Sequence, residues 1–227
     1  MDFAALGLTL RLASLTTICL LLVATPLAAW IAGGTSGASG SSIARRIAQA
    51  AVALPLVLPP TVLGFYLLVG LGPATALGRT LITLIGHPLA FTFWGLLIGS
   101  MIYSLPFAVQ PLVVAFASID RSTVEVARVL GASPWTVFRR ITLPLSRMSF
   151  VTAAVLTFAH TVGEFGVVLM VGGDIPGVTR TLSISIFDQV QELRYTDANL
   201  TAAALVAISF LALLFVYGRG RWRSELA

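Results

Sequence analysis

Lysine is missing from the 227 residues, cysteine occurs once and histidine twice. The one cysteine, Cys19, sits inside an apolar run, which excludes an internal disulfide framework and a cysteine-based metal set. His87 and His160 are the only imidazoles, and neither has a credible nucleophile or ligand set beside it in the sequence. An intramembrane enzyme using His160 and Glu164 as an acid–base pair is therefore the weaker reading. Charge is also scarce, at 10% of residues, and no GxxxxGK[ST] phosphate loop occurs, so this chain is not expected to hydrolyse ATP by itself. No internal repeat appears.

What is abundant is apolar surface: 57% of residues are hydrophobic and the mean hydropathy is +0.96. That is too much for one soluble core, and it is organised into five runs, at roughly 8–32, 50–72, 91–117, 149–172 and 199–217. The sequence thus predicts an all-α integral membrane protein with five spans in a single transmembrane domain over 1–227. The first run is longer than a signal-peptide core and follows an acid, so it reads as a retained span. Pro26, Pro55, Pro59, Pro60, Pro106 and Pro111 lie within the runs, and each frees a carbonyl that neighbouring helices or a water-lined cavity must satisfy.

The 14 arginines outnumber 9 acids for a net charge of +5, yet they cluster between apolar runs instead of forming one stripe. This pattern speaks for membrane orientation and against nucleic-acid binding. Arg45, Arg46, Arg121, Arg128, Arg139, Arg140, Arg147, Arg219, Arg221 and Arg223 fall on one side; Arg11, Arg79, Arg180 and Arg194 fall on the other. The positive-inside rule puts the first group in the cytoplasm, with the N-terminus outside and the C-terminus inside. The Gly/Ser stretch of 33–49 and the polar 173–198 connection link spans, and with only a short tail after the fifth no regulatory domain is expected there.

Between the third and fourth runs, residues 120–147 carry a polar interruption. Thr123 to Leu130 has helical composition, with Glu125 and Arg128 spaced i,i+3, and Gly131 is a natural stop. Ser133–Pro134 then reads as an N-cap and first-turn proline opening a second short helix, closed by Leu143–Pro144. On that helix Trp135, Phe138 and Ile141 recur at three-residue steps. Such an apolar knob buries itself in the bilayer interface, in the protein's own helices or in a partner's groove. Composition leaves the three open.

The fourth run holds ionisable groups deep within apolar sequence. Thr157, His160 or Thr161, and Glu164 share one helical face, and His160 reaches Glu164 at i,i+4. A mid-membrane carboxylate costs roughly 2.5–3.5 kcal/mol on insertion scales, so Glu164 faces protein or water; it serves transport or holds helices together. Arg180, in the outer connection, either attracts anions, docks a partner or balances Asp174. His87 is given no chemistry.

Residues 125–144 resemble the EAA loop of membrane subunits of ABC importers, with Glu125, Ala127, Gly131, Ile141, Leu143 and Pro144 at the family's spacing and Val126 as the one departure. LPLVLPPTVLG at 54–64, GEFG at 163–166 and IPGVTRTL at 175–182 resemble the molybdate permease branch, close to the sulfate permeases. The resemblance implies a type I importer permease fold whose second short helix, with Ser133, Pro134, Trp135 and Phe138, is the coupling helix. It further implies a homodimer in a prokaryotic inner membrane, two copies of an ATPase subunit that hold ATP and Mg, and an extracytoplasmic binding protein delivering molybdate or tungstate. No cofactor would be bound by the chain itself. Thr61, Thr157, Thr161 and Glu164 are the expected path or gate residues.

Overall fold

The computed structural model describes residues 2–33 and 42–220. Residues 34–41 of the Gly/Ser connection, and Arg221 and Arg223 of the tail, lie outside the described residues. The described elements are all helical: α1 (Phe3–Ile31), α2 (Ser42–Val57), α3 (Pro60–Leu71), α4 (Ala76–Ile85), α5 (Phe93–Ala117), α6 (Arg121–Val129), α7 (Pro134–Val137), α8 (Leu143–Val162), α9 (Gly166–Gly172), α10 (Leu182–Gln191) and α11 (Tyr195–Gly220). No strand occurs among the described residues.

Side-chain caps start these helices where the sequence offers an oxygen. Asp2 accepts from the Ala5 amide at 3.0 Å, Thr75 from Gly78 at 3.0 Å and Thr92 from Gly95 at 3.2 Å. Inside α1, the hydroxyls of Thr9, Thr17 and Thr25 donate back to the carbonyls of Ala5, Ala13 and Leu21, four residues earlier, at 2.8, 2.7 and 2.6 Å. These three hydroxyls thereby stay satisfied within an apolar helix.

Helices α1, α5 and α8 pack together as the centre of the bundle. Leu20, Ala24, Ala28, Val109, Leu112 and Ala153 are buried where they meet, and the alanines let the backbones approach closely. Helix α3 lies against α9, and α11 covers α8 and α10 from the periphery.

Among the described residues, four helical stretches are long and apolar enough to cross a membrane: Phe3–Ile31, Phe93–Ala117, Pro134–Val162 and Tyr195–Phe215. A fifth crossing exists if the α2–α3 pair counts as one span. That pair, expected as a single run over 50–72, bends by 112° at Leu58–Pro59, where consecutive prolines remove two amide donors.

The fourth run differs from expectation at both ends. Leu143–Pro144 does not close a separate helix, because the chain passes from α7 into α8 through a π turn, Phe138–Thr142. The Leu143 amide reaches back to the Phe138 carbonyl, five residues away, and this widened turn takes up Pro144's missing donor. At the other end, the helix predicted to continue to 172 stops at Val162; Gly163 to Phe165 break it before α9.

Candidate functional site

Two regions gather the residues singled out in the sequence. The first is the elbow of α6 and α7. Asp120 caps α6, its carboxylate accepting from the Ser122 amide at 3.0 Å and the Ser122 hydroxyl at 2.7 Å. These bonds hold the Asp120 carboxyl below the usual carboxylate range. The helix ends at Gly131, as the sequence predicts. The Ala132 amide donates to the Ala127 carbonyl at 3.0 Å and the Gly131 amide to Arg128 at 2.8 Å, with Gly131 at φ +85°. This Schellman turn needs the left-handed conformation that glycine enters without penalty. Ser133 then accepts from the Thr136 amide at 3.2 Å, and Pro134 takes the first-turn place.

The elbow presents apolar groups outward. Val129 is 88% exposed, Leu130 81%, Trp135 67% and Val126 59%. Ser122, Glu125, Val126, Val129 and Leu130 line a shallow hollow of about 350 Å³. Trp135 stacks on Phe138 at 5.7 Å between ring centres, while Val137 beneath them is buried. Phe138 and Ile141 are half-buried, and Leu143 and Pro144 belong to the long helix. Sequence reasoning put the docking knob on Trp135 and Phe138 and missed Val129 and Leu130. Their signal was available: two apolar side chains at the end of a short, charged helix that cannot span.

The second region is a cavity of about 570 Å³ where the two helix breaks meet. Pro60 and Thr61 of α3, Tyr103 of α5, His160 of α8, Glu164 in the break and Gly166 of α9 line it. Gly166 is required there, since a Cβ would stand 2.6 Å from the Cβ of Pro60. Glu164 is only 4% exposed, and neither carboxyl oxygen has a hydrogen-bond partner among the described residues.

The structure separates the residues expected on one face. Thr61, His160 and Glu164 border the cavity; Thr157 and Thr161 do not, and are buried against the bundle. His160 makes no bond to Glu164, because the helix ends at Val162 and the i,i+4 geometry is lost. Instead His160 Nδ1 lies 2.9 Å from the Ser104 hydroxyl, and its ring stacks on Phe107 at 4.1 Å. Proton counting assigns the tautomer. Thr161 donates to the Thr157 carbonyl at 2.9 Å, so Ser104 must donate to Thr161 at 3.0 Å and accept from His160 Nδ1–H. His160 thus ties α8 to α5 with one nitrogen and keeps Nε2 uncommitted.

At the end of the bundle opposite the elbow, Arg180 forks onto Asp174, at 2.5 and 2.7 Å, and lies 3.5 Å from Asp188. The Arg180 hydrogen bond holds the Asp174 carboxyl low, whereas burial and the neighbouring Asp174 push Asp188 up. A guanidinium shared by two carboxylates has little field left to attract an anion. Of the roles open to Arg180 in the sequence, charge balance with Asp174 is the one this geometry displays. Asp188 was not singled out in the sequence; it becomes a partner only through the fold.

The family model described as binding-protein-dependent transport system inner membrane component matches residues 10–220. The chain is 51% identical over 226 residues to molybdenum transport system permease protein ModB of Azotobacter vinelandii, covering 100% of this chain and 97% of that one. Against ModB of Mycobacterium tuberculosis it is 35% identical over 216 residues, 95% of this chain and 78% of the relative. Its fold is shared with a chain of a bacterial alginate ABC transporter solved in complex with an alginate pentasaccharide-bound periplasmic protein. The TM-score is 0.75 at 21% identity, over 96% of this chain and 78% of the other.

Proposed function

Because the chain belongs to the family of binding-protein-dependent transport system inner membrane components, we propose that it is the membrane-spanning subunit of an ATP-driven importer of molybdate or its congener tungstate. The single observation that carries this reading is the 51% identity to a molybdenum permease over essentially the whole of both chains. The chain is a transport subunit of the prokaryotic inner membrane, not an enzyme.

Two copies of the chain enclose a central path, with five spans each, the N-terminus outside and the elbow in the cytoplasm. Each elbow takes one ATPase subunit, which binds ATP and Mg, and an extracytoplasmic binding protein delivers the oxyanion to the far side. The exposed row Val126, Val129, Leu130 and Trp135 supports the docking, since apolar and aromatic anchors of this kind fill interface pockets. Glu125, Ala127 and the Gly131 turn set its angle, while Ser133 and Pro134 start the helix that runs through Phe138, Ile141, Leu143 and Pro144 into α8. A push on the elbow is therefore transmitted along one continuous helix to Val162. There the break at Gly163–Phe165 and the bend at Leu58–Pro59 allow α3 and α9 to move together around the cavity. Thr61 and Glu164 border the path; Thr161 holds α8 against α5 through Ser104, and Thr157 is buried within the bundle.

Uptake of labelled molybdate and sulfate by vesicles carrying the chain with its ATPase and binding protein tests the reading. Molybdate uptake that stops without the ATPase is expected. A clear preference for sulfate would move the assignment to the sulfate branch, and turnover of any substrate by the isolated chain would overturn it.

A further inference from the structure

Arg45 and Arg121 belong to different helices, and beyond their weight in the charge asymmetry neither has a part in the proposed transport. Arg45 lies on the inward face of α2, one turn from Ala48 and two from Val52, both of which pack into the core. Arg121 opens α6 directly after the Asp120 cap. Both guanidinium groups converge on Gly33, just past the end of α1: from the point where a Cβ of Gly33 would stand, Arg45 Nη1 is 3.5 Å away and Arg121 Nη2 3.9 Å.

Neither arginine has an ion pair or a side-chain hydrogen bond within the described residues. The arginines that do are Arg79, with the carbonyls of Pro73 and Ala74, and Arg180 and Arg194, with acids; Arg128 has a partner of its own. The Nε of Arg45 is withdrawn from solvent with no acceptor. Two like charges facing one spot repel, and a buried guanidinium N–H without an acceptor carries a desolvation penalty. One anion placed between them relieves both. Gly33 suits that role: with φ at +98° and no side chain, it adds no atom of its own between the two guanidinium groups.

We propose that Arg45, Arg121 and the Gly33 backbone form a binding site for one tetrahedral oxyanion group at the arginine-rich end of the bundle. Guanidinium forks match the paired oxygens of such a group, and basic pockets between membrane helices at this level bind phosphate head groups. The same chemistry is carried by a phospholipid phosphate and by a free oxyanion.

The full-length chain, purified in neutral detergent, is the material for the test. One arm measures retention of phosphatidylglycerol against phosphatidylcholine by native mass spectrometry; the other measures molybdate binding by titration calorimetry. Arg45→Gln with Arg121→Gln is expected to weaken one of the two by at least about tenfold, since each removes a charge-assisted contact. Arg79→Gln, which removes a cation from the opposite end, should leave binding within about twofold. Loss in the lipid arm identifies a head-group site and loss in the molybdate arm a free-oxyanion site. Should the double variant misfold, by gel filtration and helical content, each single variant is measured instead. Wild-type-like binding in both arms by correctly folded variants would overturn the proposal.

Discussion

The two ends of the bundle solve opposite problems. At one, Arg180 is held by Asp174 and Asp188, Thr9 of α1 accepts from the Leu182 amide at 2.9 Å, and the Thr179 hydroxyl accepts from the Ile175 amide at 3.1 Å. The groups just named are matched within the chain, so the 173–181 connection has a defined shape without help. At the elbow the backbone is equally well capped, but the side chains beyond it are unmatched: Val129 and Leu130 are more than four-fifths exposed. On the reading proposed above, the ordered elbow with its unburied apolar side chains is the surface a partner completes. The contrast then separates contacts that hold the fold from surface offered to that partner.

Leu130→Asp should bring out the difference most strongly. A charge placed at the centre of the exposed row is expected to reduce ATP-dependent molybdate uptake by at least about thirtyfold, the size of a lost interface anchor near 2 kcal/mol, while the chain still inserts. Normal uptake by Leu130→Asp would mean that this row is not the docking surface.

The matched end should respond in stability. Arg180→Gln leaves two carboxylates facing each other and is expected to cost about 1–2 kcal/mol, less than a fully buried pair because all three side chains keep partial solvent access. Denaturation in detergent measures it, and an unchanged midpoint would remove the claim that this end locks itself.

The two acids should then differ in sign. Asp174 is held low by Arg180, so its contribution is present above about pH 4, the ordinary carboxylate value, and is lost as pH falls through its lower folded value. Asp188 is pushed up by burial, so its ionisation works against the fold as pH rises. Asp174→Asn at neutral pH should therefore cost more than Asp188→Asn, which should change stability by less than about 1 kcal/mol. The reverse order, read from melting midpoints at pH 7, would show that the Arg180 fork favours the other acid.

How far the sequence foretells this molecule follows the range of the interactions involved. Gly131, the Ser133–Pro134 start and the long apolar helices are legible because caps and hydropathy act over a few residues. The break at Gly163–Phe165 is not: it is stabilised where Gly166 meets Pro60, a contact between distant parts of the chain. Helical spacing pairs His160 with Glu164, four residues on, whereas its bond goes to Ser104, 56 residues back. Pro144 reads as a stop because a proline removes a local donor, but a π turn can absorb that loss and let the helix run on. Convergence of Arg45 and Arg121 on Gly33 likewise depends on three chain segments that no local pattern connects.

The smallest effect expected is also the one that isolates the elbow's role. Val129→Ser removes a side chain that is 88% exposed in the chain alone, so little apolar surface returns to water and stability should change by no more than about 0.5 kcal/mol. In helix α6 serine is about as good a helix former as valine, and the Schellman turn after it uses backbone atoms that the substitution leaves in place. The same change lies inside the proposed docking row, where lost apolar contact would weaken ATPase capture by a few-fold without touching the cavity. Pull-down of the ATPase and melting of the permease, measured on one preparation, therefore separate the two roles. A melting loss that matches the binding loss would mean Val129 packs within the chain, and the contrast between the two ends would no longer hold.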